Sequence, residues 1–68
     1  MPEVHLRAAQ THDEAARRHE AAARQAYGRG ELEWAEFERR NVEIERAAAQ
    51  LERDRADFKQ RKRATSTT

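Results

Sequence analysis

Small apolar residues recur every seven positions through the first third of the chain. The pattern His-x-x-Ala-Ala-x-x occurs three times over residues 5–25, so His5, His12 and His19 share one helical position. Each histidine is followed three and four residues later by a pair of alanines. Apolar residues at this spacing are typical of an α-helix that packs against another helix. The pattern therefore predicts a first helix with a contact face of small residues.

The second half of the chain has the same period with larger side chains. Positions separated alternately by three and four residues, which is the a/d spacing of a coiled coil, are occupied by Trp34, Phe37, Asn41, Ile44, Ala48, Leu51, Arg55 and Phe58. A second stripe with a strict period of seven consists of Ala35, Val42, Ala49 and Ala56. The two stripes predict a second helix whose apolar face is wider than one partner helix can cover.

Two glycines interrupt this helical pattern. Gly28 is expected to supply the left-handed cap of the first helix, and Gly30 the flexibility that reverses the chain. The predicted organisation is a single α-hairpin domain over residues 1–63, with a helix at about 3–27, a turn at 28–30, a helix at about 31–62 and a frayed C-terminal tail at 64–68.

The predicted fold class is all-α, an antiparallel two-helix hairpin, because two long helices joined by a short loop must pack antiparallel. In this alignment the large residues of the second helix cover the alanines of the first. The expected contacts are Ala22 with Phe37, Ala15 with Ile44 and Ala8 with Leu51.

A single hairpin of this size leaves part of its apolar surface exposed. A chain of 68 residues buries only a modest core and usually needs a partner for firm stability. We therefore expect a homodimer that forms a four-helix bundle, with a larger protein as the other possible partner. The predicted interface combines both stripes: Trp34, Ala35, Phe37, Val42, Ile44, Ala49, Leu51, Ala56 and Phe58.

Composition argues against an enzyme and against a membrane protein. Charged residues make up 40% of the chain, yet the net charge is only +1, which is typical of solvated helix faces. There is no cysteine, the only serine is Ser66, and two glycines cannot build a phosphate-binding loop. No signal-peptide pattern and no apolar run of membrane-spanning length is present. We expect a cytoplasmic protein without a cofactor.

The histidines are the main candidates for chemistry. His5, His12 and His19 lie about 10.5 Å apart along one helix, so a metal ion would need ligands from another helix as well. The alternative is a pH response, since three protonated histidines on one seam would repel each other. Asn41 lies opposite His19 in the expected alignment, which predicts a polar layer made by these two residues.

A basic cluster near the C-terminus supports a weaker alternative. The cluster is not interrupted by an acidic residue and could contact nucleic acid; it consists of Lys59, Arg61, Lys62 and Arg63. No aromatic residue interleaves the cluster, so complementing the helix dipole is the preferred interpretation.

The turn resembles the middle of a tetratricopeptide-type helical hairpin. Gly30, Glu31, Leu32 and Ala35 carry the resemblance, which covers about six residues. It implies a hairpin turn and no peptide-binding groove, because both helices are about twice too long and a second repeat is absent. The function predicted from the sequence is therefore a small non-enzymatic module that acts through helix–helix association.

Overall fold

The computed structural model describes residues 2–66, which form two long α-helices. Helix α1 spans Pro2–Gly28 and helix α2 spans Leu32–Ser66, and the two pack against each other. The Cα atoms extend over 59 × 14 × 9 Å, so the molecule is a rod. The predicted all-α hairpin is confirmed. Neither helix has a stretch that is long and apolar enough to cross a membrane.

The chain reverses through a Schellman motif at the end of α1. The N–H of Gly30 donates to the carbonyl of Tyr27 at 3.0 Å, and the N–H of Glu31 donates to the carbonyl of Ala26 at 2.9 Å. This pair of bonds needs a left-handed residue, and Gly30 supplies it with a φ of 77°. The assignment of the left-handed cap to Gly28 is wrong, because Gly28 is the last helical residue of α1.

Helix α2 is longer than predicted. Its first intrahelical bond runs from the N–H of Ala35 to the carbonyl of Glu31 at 3.0 Å. The helix continues past residue 62 to Ser66, and the hydroxyl of Thr65 donates to the carbonyl of Arg61 at 2.7 Å. Residues 64–66 are therefore part of α2 and not of a separate tail. Residues 67 and 68 lie outside the described part of the chain.

Alanine dominates the seam between the helices. The buried residues of α1 and α2 are Ala9, Ala16, Ala23, Ala26, Ala35, Val42, Ala49 and Ala56. Helix α1 buries Ala9, Ala16 and Ala23, the second alanine of each predicted pair, whereas the alanines expected to contact α2, namely Ala8, Ala15 and Ala22, are only partly buried. Helix α2 contributes only its second, smaller stripe. Small side chains on both helices allow the two backbones to approach closely.

The large apolar residues of α2 face away from α1, which contradicts the predicted contacts. Phe37, Ile44 and Leu51 are 46%, 65% and 49% exposed, so they do not cover the alanines of α1. At 3.6 residues per turn, the larger stripe is centred about 140° from the alanine stripe around the axis of α2. Only one stripe can therefore face α1. The two stripes are therefore not adjacent, and the prediction that they form one wide apolar face is wrong.

Candidate helix-association site

The outer face of α2 carries a row of exposed large apolar side chains, which we call the outer stripe. Their exposed fractions range from 46% to 65%, and the stripe consists of Trp34, Phe37, Ile44, Leu51 and Phe58. The rings of Trp34 and Phe37 meet edge to face, with centroids 6.1 Å apart. Four members of the stripe recur at intervals of seven, which aligns them along one side of the helix.

Charged residues lie within and beside the outer stripe. The guanidinium of Arg55 donates to Glu52 at 2.8 Å. The charged groups of Arg40 and Lys62 lie 5.6 Å and 6.0 Å from the ring centroids of Phe37 and Phe58. These contacts are short-range within α2. They leave the apolar surface of the stripe open to solvent along most of its length.

Helix α1 has no comparable surface. Its exposed large apolar residues are Val4, Leu6 and Tyr27, which stand near the two ends of the helix. Arg39 from α2 lies over the ring of Tyr27 at 5.9 Å. Between these ends, the outward positions of α1 are occupied mainly by arginine, glutamine and other polar residues. The main exposed apolar surface of the hairpin therefore lies on α2.

The sequence-predicted interface is divided between two surfaces. Ala35, Val42, Ala49 and Ala56 are buried against α1 and cannot contact a second molecule while the hairpin is closed. The other predicted interface residues are those of the outer stripe. The hairpin thus buries its small stripe internally and exposes its large one.

The three histidines form a regular set of cross-helix contacts, which we call the histidine ladder. The Nδ1 atoms of the histidines lie 3.2, 2.6 and 2.7 Å from a glutamate oxygen in the pairs His5–Glu52, His12–Glu45 and His19–Glu38. Each step of seven residues along α1 is matched by a step of seven back along α2. The ladder therefore defines the antiparallel register along one edge of the alanine seam.

Acid–arginine pairs line the opposite edge of the seam. An oxygen of Glu20 accepts a hydrogen bond from Arg46 at 2.5 Å, and Asp13 forms the same kind of pair with Arg53 one heptad further on. Exposed ion pairs of this kind contribute about 0–1 kcal/mol each. Both edges can close only because the alanines between them keep the helices near each other. Bulky residues in the seam would separate the paired side chains.

The predicted polar layer contains a residue that sequence reasoning missed. His19 contacts Oε1 of Glu38 at 2.7 Å, and the amide of Asn41 donates to the same oxygen at 3.4 Å. The expected direct pairing of His19 with Asn41 is therefore replaced by a shared carboxylate. The sequence does contain a pattern that could have identified this residue, since Glu38, Glu45 and Glu52 recur at intervals of seven, as the three histidines do.

The contacts of the histidine ladder bear on both hypotheses for the histidines, the metal site and the pH response. Within residues 2–66, no group of three or more histidine, cysteine, aspartate or glutamate side chains is placed to hold a metal ion. Each imidazole contacts a carboxylate, so a proton on the ring would face a negative charge as well as the other histidines. The pKa of Glu52 is lowered by its hydrogen bond from Arg55 and, to a smaller extent, by its contact with His5.

The basic cluster lies on the part of α2 that extends past α1. Since His5 pairs with Glu52, Pro2 lies level with about residue 55, and Lys59, Arg61, Lys62 and Arg63 follow beyond it. Arg61 pairs with Asp57 at 3.4 Å. The structure thus places the cluster on a single helix, separate from the histidine ladder.

Comparison with known proteins finds no matching family model, no similar curated protein and no similar solved structure.

Proposed function

We propose that this protein is a non-enzymatic helical module that acts through helix–helix association, with the outer stripe as its contact surface and a second copy as its partner. The observation that supports this is the position of the large apolar residues. The hairpin closes on alanines, and the five apolar side chains of the outer stripe are about half exposed instead of being buried in its core. An apolar row of this length on a soluble surface is typical of a protein interaction site.

The size of the outer stripe supports self-association. Each of its five side chains is about half exposed, which corresponds to roughly 100 Å² of free surface per side chain. Two copies would together cover about 1,000 Å², which is the area that a specific interface must reach. Within residues 2–66 the other exposed large apolar residues lie near the helix ends, so a stripe-to-stripe contact uses the main exposed apolar surface; those other residues are Val4, Leu6, Tyr27 and Leu32.

The decisive experiment measures native mass across a concentration series by light scattering near neutral pH. Ile44→Glu and Leu51→Glu place a charge in the outer stripe and are expected to produce monomers that stay helical. The chain offers matched controls on α1, because Val4 and Leu6 are 66% and 51% exposed against 65% and 49% for Ile44 and Leu51. Val4→Glu and Leu6→Glu are expected to remain dimers.

Two results would contradict the proposal. A wild-type chain that is monomeric at every concentration would exclude the second copy as the partner. Equal loss of dimer in the α1 controls would show that the charge acts by destabilising the hairpin and not by blocking the stripe. Circular dichroism of all four variants separates these cases, since a blocked stripe leaves the helix content unchanged.

A proton response through the histidine ladder is a second candidate function. The observation that favours it is that all three imidazoles lie between the helices, within hydrogen-bonding reach of a glutamate. Urea unfolding at pH 7.5 and pH 5.5 spans the range in which histidine ordinarily changes charge, around pH ~6.5. Replacing all three histidines with asparagine is expected to remove any difference between the two conditions. Equal stability of the wild type at both pH values would refute this function.

A further inference from the structure

Resting on the self-association proposed above, we infer that the two copies pair α2 against α2 in antiparallel orientation, centred near residue 46. The outer stripe runs from Trp34 to Phe58, and the midpoint of this segment is residue 46. An antiparallel contact centred there superimposes the whole stripe of one copy on that of the other. The resulting assembly is a row of four helices, with the α2 helices inside and the α1 helices outside.

The row follows from the directions of the two faces of α2. Its alanine stripe and its outer stripe are about 140° apart, whereas a square four-helix bundle requires neighbours at about 90°. The outward face of α1 is polar between its two ends, so it cannot supply the extra contacts that a square bundle makes. A second copy can therefore dock only on the far side of α2.

Side-chain size favours the antiparallel orientation. Centring on residue 46 places Ile44 against Ala48 of the second copy, and Phe37 against Arg55 of the second copy. Only the layer of Trp34 and Phe58 pairs two large residues, so the other layers place a large residue against a small, polar or flexible one, which allows close packing. A parallel contact in register would place each Arg55 against the other Arg55 in the middle of the apolar surface. Two apposed guanidinium groups there would repel each other as they lose solvent.

Charges along one edge of the outer stripe match the same orientation. Arg40 would lie beside Asp54 of the second copy, and Glu33 beside Arg61 of the second copy. Each pair occurs twice because of the two-fold symmetry. All four residues are exposed in the hairpin. Complementary charges at the edge of a contact mainly determine its orientation and register, so these pairs favour the antiparallel orientation.

The other edge brings acids from the two copies together. Glu45 would lie near its own symmetry mate, and Glu38 near Glu52 of the second copy, while Glu31 would lie near Lys59 of the second copy. Each of the three ladder glutamates already contacts a histidine of its own chain. Their negative charge is partly engaged within each hairpin, so the Arg40–Asp54 edge is the one that selects the orientation.

A charge exchange tests the inference. Arg40→Asp and Asp54→Arg are each expected to weaken self-association by about tenfold, because each replaces two attractive contacts with two repulsive ones. The double variant Arg40→Asp/Asp54→Arg is expected to regain most of the loss. In a parallel dimer Arg40 would face Glu45 and Asp54 would face Lys59, so the double variant would be weaker than either single one. That result would overturn the inference.

Spin-label distances provide an independent test, since the chain has no cysteine of its own. Glu36→Cys and Glu43→Cys occupy the same face of α2, one heptad apart, and would each carry one nitroxide. In the antiparallel dimer the labels are separated along the axis by about 30 Å at position 36 and about 9 Å at position 43. Equal distances at both positions in a dimer would overturn the orientation and leave the proposed function intact. A monomeric wild type would contradict the proposed function itself.

Discussion

Ala49→Leu is the most direct test of the alanine seam. Ala49 is fully buried at 0% exposure, in the middle of the contact between α1 and α2. Leucine adds three carbon atoms where small side chains hold the two backbones close together. Overpacking of this kind typically costs about 1–3 kcal/mol. For a domain of this size each kcal/mol lowers the melting temperature by about 4–8 °C, so we expect a decrease of roughly 5–20 °C.

The matched control for this variant is Ala47→Leu, the same substitution two residues earlier on the exposed side of α2. Its intrinsic helix propensity changes by the same small amount. Since Ala47 flanks the outer stripe, the difference isolates packing in the seam when both variants are studied below the concentration at which they self-associate. Thermal unfolding is followed by circular dichroism at one fixed chain concentration, because self-association makes the midpoint concentration-dependent. Equal melting temperatures for the two variants would refute the close alanine contact.

Two further predictions concern the turn and the pH dependence. Gly30→Ala is expected to lower the free energy of unfolding in urea by about 1–2 kcal/mol, because the φ of 77° disfavours a side chain. Gly28→Ala is expected to raise it by about 0.5–1 kcal/mol, because Gly28 is a helical position. A change of the same sign for both variants would contradict the Schellman assignment. Because Arg55 and His5 lower the pKa of Glu52 below 4.5, its contribution to stability is present above that pH and is lost as the pH falls through the folded value. Urea midpoints measured from pH 6 to pH 3 should therefore decrease less for Glu52→Gln than for the wild type.

The sequence by itself determined the helices and their antiparallel arrangement. Helix formers fill residues 5–25 and most of the second half, and the seven-residue period is a local property that needs no tertiary contact to be recognised. The short break around Gly30 leaves two long helices no alternative to packing side by side. For the same reason an alanine contact face on α1 was predictable, although the expected contacts used Ala8, Ala15 and Ala22 and the structure buries the neighbouring row Ala9, Ala16 and Ala23.

The tertiary structure decided which stripe of α2 faces α1. Both stripes have helical periodicity, and the larger one would be favoured if only buried apolar area mattered. The narrow alanine seam is accompanied by cross-helix pairs such as His12–Glu45 and Asp13–Arg53, which can form only when the two helices lie close together. Such pairs join residues that are distant in sequence, so no local pattern can rank them. The exposed position of the outer stripe, and with it the candidate association site, follows from that choice.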